Sequence, residues 1–320
     1  MRLKCLVFKG STTKEFMKYK NILILEAGGP CAVSCIKLLK QSTQVRTIAA
    51  DMDPYAAGLY LADEKEVIPS VDSEFFSTSI SNVLSKHNIN AIFPTFENGL
   101  VPLSEVKANF LIDFKSALLC KDQLVFCNLC KEKNLPIPKT ITLQDWKSIE
   151  KYPQFVKPRF GVGSRDNFII RSSEMMLKFY ELYGDKEDFI TQDFLEGDHW
   201  NVDVLVEDGE FVCAVPRRDI RQKSGNPVIV EVVDYKELSR FSCLVQQALS
   251  IKSVFNLEVF EVDNGKFVIN EINVRFGGGI IFSALAGCDM VSYLATGNRK
   301  FISDPKNMII SRYFEEVQCK

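Results

Sequence analysis

Acidic, amide and guanidinium side chains recur at two-residue steps in "FNLEVFEVDNGKFVINEINVRFGGG", Phe255 to Gly279. Glu271, Asn273 and Arg275 share one face of any strand that spans them, because successive side chains alternate across a sheet. Asn264-Gly265 lies between two runs of apolar alternation. This is the strongest short hairpin signal, since a type I′ turn needs positive φ at both central positions. A two-residue turn there sets Asp263 against Lys266 and carries the register to Glu258 directly opposite Glu271. Like charges so opposed destabilise a strand pair by up to about 1 kcal/mol. A hard divalent cation offsets that cost, and a metal carried by substrate phosphates needs only one or two protein carboxylates. Glu258, Glu271 and the amide oxygen of Asn273 therefore suit Mg²⁺, with Mn²⁺ as an alternative, on a nucleoside triphosphate. The competing reading is a solvated sheet face whose acids pair with nearby lysines. Gly277-Gly278-Gly279 favours the former, because glycine lets backbone N–H groups approach an anion.

A second candidate lies upstream in "QFVKPRFGVGSRDNFIIR". Two short β-rich runs flank a glycine loop. Lys157 ends the first run, and the loop Phe160 to Arg165, with Gly163, Ser164 and Arg165, can fold over phosphates. Further on, "FITQDFLEGDHWNVDVLVEDGEFVCAVPRRD" alternates like a meandering antiparallel sheet with turns at Glu196-Gly197 and Asp208-Gly209. A helix around "YKELSRFSCLVQQALSI" then precedes the acidic hairpin.

The elements before these follow a different pattern. From Asn21 the order is a buried strand, the turn "EAGGP", a helix, a second strand "VRTIAADMD", a further helix and "AIFPTFENG". Such alternation predicts a small parallel α/β domain ending near residue 116. Gly28-Gly29-Pro30 reads as a tight turn or as an anion site at a helix N-terminus. Asp51, Asp53 and Glu97 stand at strand ends, where open α/β sheets place ligand contacts or merely turn and cap residues. Residues 1–16 fit no continuing element and read as an N-terminal extension or a short ordered arm.

Composition excludes several classes. With 320 residues, 46% hydrophobic content and net charge −2, the chain can bury a large core and shows no electrostatic footprint for nucleic acid. No apolar run approaches the roughly 18 residues of a membrane span. Ten cysteines without an export signal point to reduced thiols in a cytoplasm. Cys127 and Cys130 form a C-x-x-C within an apparent helix, where i and i+3 share an apolar face, and read as core packing. No Ser-His-Asp or Cys-His arrangement suggests a side-chain nucleophile.

Taken in order, these pieces resemble the ATP-grasp superfamily, and within it a single unit of the carbamoyl-phosphate synthase large subunit. The resemblance spans about residues 20 to 300 and rests on "NEINVRFGGG", Lys157-Pro158, "TQDFLEGDHWNVDVLV" and "AADMDPYAAGLYLADEKEVIPS". It implies a parallel α/β pre-ATP-grasp domain at 17–116, then a two-lobed α+β ATP-grasp domain with antiparallel sheets, its small lobe at 117–189 and large lobe at 190–320. It also implies Lys157 on the nucleotide, Gln192, Phe194 and Leu195 as the adenine hinge, and Glu258, Glu271 and Asn273 as magnesium ligands. Arg275 with one or both of Arg218 and Arg221 would neutralise the transferred phosphoryl group. The sequence departs from the family at His199, where a ribose-gripping carboxylate is common, at Gln123, where a basic residue is common, and at Glu258, often glutamine. His199 either donates to a hydroxyl or packs. The implied activity is an ATP-dependent carboxylate–amine ligase working through an acyl phosphate on small-molecule substrates, with a homodimer allowed. An enzyme that stops at an acyl or carbamoyl phosphate, and a non-catalytic nucleotide-binding protein, are the alternatives.

Overall fold

The computed structural model describes residues 17–93, 95, 99–161, 166–184, 188–223, 225–263 and 265–319. The extension at 1–16 lies outside the described residues, as do Glu97 and Asn264. In the N-terminal part, β1 (Asn21–Leu25), β2 (Arg46–Asp51), β3 (Glu64–Val67) and β4 (Ala91–Phe93) form a parallel sheet in the order β3-β2-β1-β4. Its central strand "NILIL" is apolar and buried from Ile22 to Leu25 because both faces are covered. Ile22 and Ile24 join a core with the helix Pro30–Ser42, while Leu23 and Leu25 join another with the helix Phe76–His87. The turn after β1 is closed by Asp51, whose Oδ2 accepts the Gly28 N–H at 2.8 Å and whose Oδ1 accepts that of Asp53 at 2.9 Å. Asp51 is thus occupied by local backbone.

Two antiparallel sheets follow. β5 (Thr140–Thr142), β6 (Gln154–Pro158), β7 (Phe168–Ile170) and β8 (Phe189–Asp193) form the smaller, in the order β5-β8-β6-β7. Leu143, Val156, Ile170, Met176, Phe179 and Phe189 fill the space between this sheet and the helix Ser173–Tyr183. The larger sheet contains β9 (Asp198–Glu207), β10 (Glu210–Lys223), β11 (Asn226–Val232), β12 (Phe255–Val262), β13 (Lys266–Asn273) and β14 (Met308–Ser311). Its order is β13-β12-β9-β10-β11-β14. β14 was not foreseen from the sequence; it pairs with β11 from Ile229↔Ser311 to Val232↔Met308. The parallel-then-antiparallel succession is the fold class expected. Among the described residues, no helix is long and apolar enough to cross a membrane.

One contact fixes the small sheet against the helix Gln123–Glu132. Asp122 caps this helix by accepting the N–H groups of Leu124 and Val125, both at 3.1 Å. The same carboxylate takes a two-pronged bond from Arg159, Nε and Nη2 each at 2.8 Å, just beyond β6. Burial alone would raise the Asp122 carboxyl, but the Arg159 guanidinium and the helix N–H groups hold it below its ordinary value. Asp122→Ala should therefore cost about 1–3 kcal/mol at neutral pH, the combined scale of a lost cap and a lost charge-assisted hydrogen bond. Because the folded pKa is depressed, this contribution is complete above the unfolded-state carboxylate pKa of about 3.9 and disappears as pH falls through the lower folded value. Urea unfolding of both proteins from neutral to acidic pH checks this; a gap undiminished in acid would contradict it.

Candidate active site

The acidic hairpin reaches the expected pairing by an unexpected route. The two-residue turn at Asn264-Gly265 does not form, because Val262 pairs with Lys266 and three residues lie between them. Asp263 and Gly265 take φ of 39° and 96°. A longer loop would put the register one residue out, but β13 carries a bulge: Val259 pairs with Ile269, Glu258 pairs with Glu271, and Asn270 is the extra residue. The bulge restores the offset, so Glu258 and Glu271 oppose each other and Asn256 faces Asn273. Asn270 Nδ2 also bonds Glu258 Oε2 at 3.4 Å.

Neighbouring strands complete the face. β12 also pairs with β9, placing Asn201 against Glu258 and His199 against Phe260. His199 Nε2 lies 3.4 Å from Glu258 Oε2. Burial depresses the imidazole's affinity for its proton, but the Glu258 carboxylate outweighs it and raises His199 above its ordinary value. Conversely, burial would raise Glu258, yet His199, Lys157 and Asn270 hold it low. His199 thus neither packs idly nor stands apart; it is bonded to one of the two opposed acids.

All these groups line one cavity of about 620 Å³ between the small and large sheets. Lys157, Gln192, Phe194, Leu195, His199, Glu258, Glu271, Asn273 and Arg275 all border it, with the glycine turn Gly277 to Gly279. Lys157 is 6% exposed, so it is a buried lysine and not the exposed loop-base residue its position suggests. Its Nζ donates to Gln123 Oε1 at 3.0 Å, so the glutamine at the family's basic position directly seats this lysine. Gln192 Nε2 donates to Thr140 Oγ1 at 3.0 Å and to Cys127 Sγ at 3.4 Å. Cys127 and Cys130 are buried with this helix's core, the packing role expected of them. Gly197 ends the segment linking the two sheets; a Cβ there would lie 2.2 Å from the Glu261 carbonyl.

Arg218 and Arg221 are not brought to this cavity. Arg218 turns to the opposite face, where Nη2 pairs with Glu231 at 2.6 Å and the guanidinium covers Trp200. Arg221 is exposed, past a register shift in β10. The arginine of "VPRRDIR" that does line the cavity, with Arg275, is Arg217. Its Nη1 bonds Asp203 Oδ2 at 3.2 Å, and both side chains are almost wholly buried. Asp203 is held in turn by Ser283 Oγ at 2.6 Å and Asn256 Nδ2 at 3.0 Å. Gly279 makes room for this arrangement, since a Cβ there would meet Arg217 Nε at 2.5 Å. Arg312, just past β14, donates to the Gly278 carbonyl at 2.8 Å and so braces the same turn. Gly163, Ser164 and Arg165 lie outside the described residues.

The donor set fits a phosphate-borne divalent cation. Among the described residues, no three acidic, histidine or cysteine groups converge as a self-sufficient metal cage. Two opposed carboxylates and one amide oxygen are the number and hardness of ligands that Mg²⁺ takes from a protein when phosphates supply the rest. Lys157 and Arg275 border the same space, where they would face the phosphates.

Known proteins share parts of this sequence and its fold. The profile of the family described as "ATP-grasp in the biosynthetic pathway with Ter operon" matches residues 185–311, and that of the "PylC-like, N-terminal domain" matches residues 22–113. An L-arginine-specific L-amino acid ligase of Bacillus subtilis is 23% identical over 287 residues, covering 81% of this chain and 70% of the relative. Among solved structures, the biotin carboxylase domain of Hydrogenobacter thermophilus 2-oxoglutarate carboxylase, bound to MgADP, ADP and bicarbonate, superposes with a TM-score of 0.71. It is 20% identical, over 89% of this chain and 70% of that one. N5-carboxyaminoimidazole synthetase from Staphylococcus aureus, complexed with ADP, gives a TM-score of 0.71 at 18% identity, over 94% of this chain and 83% of that one. Residues 185–311 thus match an ATP-grasp unit, and residues 22–113 ahead of them a PylC-like N-terminal domain.

Proposed function

We propose that this protein is an ATP-dependent ligase that joins a small carboxylic acid to a small amine through an acyl phosphate, releasing ADP and phosphate. The observation that carries the reading is the single cavity in which Lys157, the opposed Glu258 and Glu271, Asn273, Arg275 and a glycine turn meet. Phosphoryl transfer asks for positioning and charge neutralisation more than for a covalent side chain. Lys157 would hold the nucleotide phosphates, and Gln192, Phe194 and Leu195 would border the adenine. Glu258, Glu271 and Asn273 would hold Mg²⁺, with Mn²⁺ able to replace it; the ion would supply Lewis acidity at the transferring phosphoryl. Arg275, joined by Arg217 in place of Arg218 or Arg221, would meet the charge that develops on that group, donors already in place costing no reorganisation. The curated relative is an amino acid ligase by name, which supports the same reaction class here. Enclosure between the sheets would keep water from the acyl phosphate.

Mg·ATP should raise the melting temperature, since a ligand at a hundred times its Kd adds about 2.7 kcal/mol to the native state. Glu271→Gln should remove most of that gain; an undiminished shift in the variant would refute the metal assignment. Lys157→Met keeps the buried stem but removes the charge. It should lower the nucleotide-free melting temperature, because Gln123 Oε1 loses its donor and Glu258 a nearby cation, and it should lower ATP affinity by about tenfold or more, some 1.4 kcal/mol. Isothermal titration decides this, and unaltered affinity would move the phosphate site elsewhere. Phosphate release should require both an acid and an amine. ADP formation with the acid alone, the γ-phosphoryl group staying on the acid, would favour an enzyme that stops at the acyl phosphate, and binding without any turnover would favour a non-catalytic nucleotide-binding protein.

A further inference from the structure

The bulge in β13 gives the cavity a side chain that a regular strand would withhold. Consecutive residues of a strand face opposite sides, yet Asn270 and Glu271 both border the cavity, because Asn270 is the extra residue between the pairs Val259↔Ile269 and Glu258↔Glu271. Bulges re-aim side chains in this way beside active sites. Here the re-aimed group acts on one atom: Asn270 Nδ2 donates to Glu258 Oε2 at 3.4 Å.

His199 reaches that same oxygen from β9, its Nε2 at 3.4 Å, and its ring lies against Phe260 with centroids 4.9 Å apart. The contact needs only a hydrogen on Nε2, which the imidazolium and one neutral tautomer both carry. A carboxylate offers about four lone-pair sites, two on each oxygen. Two donors therefore occupy Oε2. Oε1 accepts no hydrogen bond among the described residues, and the Glu258 side chain keeps 26% of its surface exposed. The two oxygens of one carboxylate are thus unequal, one filled by the protein and one open to the cavity it borders.

We propose that Asn270 and His199 are positioning residues that leave Glu258 a single oxygen, Oε1, for the cation, and that they thereby select Mg²⁺ over Ca²⁺ at the nucleotide phosphates. This rests on the metal assignment within the ligase reading and deepens it. Ca²⁺ takes about six to eight oxygens at roughly 2.3–2.6 Å and readily holds a carboxylate through both of its oxygens, whereas Mg²⁺ demands an octahedron at about 2.0–2.1 Å. A carboxylate with one oxygen already filled serves the smaller ion and withholds from the larger one a ligand it can use. Neither Asn270 nor His199 is needed as a metal ligand; each acts through Glu258, in the way that partners behind a metal's ligands set their orientation.

The test titrates ADP into the full chain at saturating Mg²⁺ or saturating Ca²⁺ and reads the ratio of the two dissociation constants; ADP reports binding without turnover. The unmodified chain should bind ADP at least about tenfold more tightly with Mg²⁺ than with Ca²⁺, the scale on which groups behind a metal's ligands act. Two variants each remove one donor: Asn270→Ser, whose hydroxyl is too short to reach Oε2, and His199→Phe, which keeps a ring beside Phe260. Each should shrink the ratio by about threefold or more, and the two together should bring it close to one. A weakened fold lowers both affinities, and the lost charge of His199 acts on both divalent ions alike, so only a change in the seating of Glu258 moves the ratio. The proposal is overturned, with the metal assignment intact, if the unmodified chain binds ADP equally with either ion or if the ratio survives in the double variant. ADP binding that is indifferent to any divalent cation would instead remove the metal assignment beneath it.

Discussion

The site depends on holding two carboxylates against each other across β12 and β13. Left alone, Glu258 and Glu271 would loosen the hairpin. The protein offsets part of this repulsion with its own groups: His199 from β9, Asn270 from the bulge and the charge of Lys157 from across the cavity all favour an ionised Glu258. These come from three different parts of the chain, so the acidic pair is assembled by the fold and not by the hairpin alone. His199 acts from 3.4 Å on Glu258 Oε2, the same oxygen that Asn270 reaches.

Much of this was legible in the sequence, and the errors of strand register share one physical cause. Strand, turn and helix signals located the parallel domain, the Asp208-Gly209 turn and the acidic hairpin. Asp208-Gly209 is indeed a two-residue connection, with Glu207 paired to Glu210 and positive φ of 52° and 83°. Parity along a strand is harder, because one bulge turns every later side chain to the other face. At the acidic hairpin two departures, a longer loop and a bulge, cancel, so the opposed glutamates emerge from a count that was incorrect at the turn. Where β10 pairs with β9, the one shift, between Phe211 and Cys213, is not cancelled. A regular ladder from the Asp208-Gly209 turn would have set Arg218 opposite His199; the bulge instead sets Arg217 opposite Asn201 and sends Arg218 to Glu231. Nothing in the run "VPRRD" distinguishes the two arginines.

Lys157 shows a different limit. A lysine at the end of a strand beside a glycine loop looks exposed, yet the helix Gln123–Glu132 approaches end-on and encloses it. Its first two contacts act together: Asp122 grips Arg159 while Gln123 accepts from Lys157. Adjacent residues at one helix N-terminus thus fix both cations at the end of β6, which sets where the following loop begins. A glutamine at position 123 then has a physical sense, because a second cation there would repel Lys157 whereas an amide oxygen accepts its hydrogen bond.

The turn after β13 links the site to the N-terminal domain. Arg275 borders the cavity, but Val274 and Phe276 on either side are buried. Phe276 packs edge-on against Phe93 of β4 at 5.3 Å, and its carbonyl accepts from Cys31 Sγ at 3.4 Å in the helix Pro30–Ser42. Immediately beyond, Gly277 lies against Asp203 and Asn256, Gly278 against Pro30, and Gly279 against Arg217. Three consecutive positions therefore touch the large sheet, the N-terminal domain and the buried ion pair; a Cβ would crowd its neighbours at Gly277, 3.1 Å from Asp203 Oδ1, and at Gly279, 2.5 Å from Arg217 Nε, and would sit at ordinary contact distance at Gly278. Gly277 and Gly279 are needed as much for this convergence as for any anion. The N-terminal domain accordingly contributes through the placement of the turn: by anchoring Phe276 it fixes the backbone that leaves Arg217 its space, and through Arg217 the geometry of the cavity's far end.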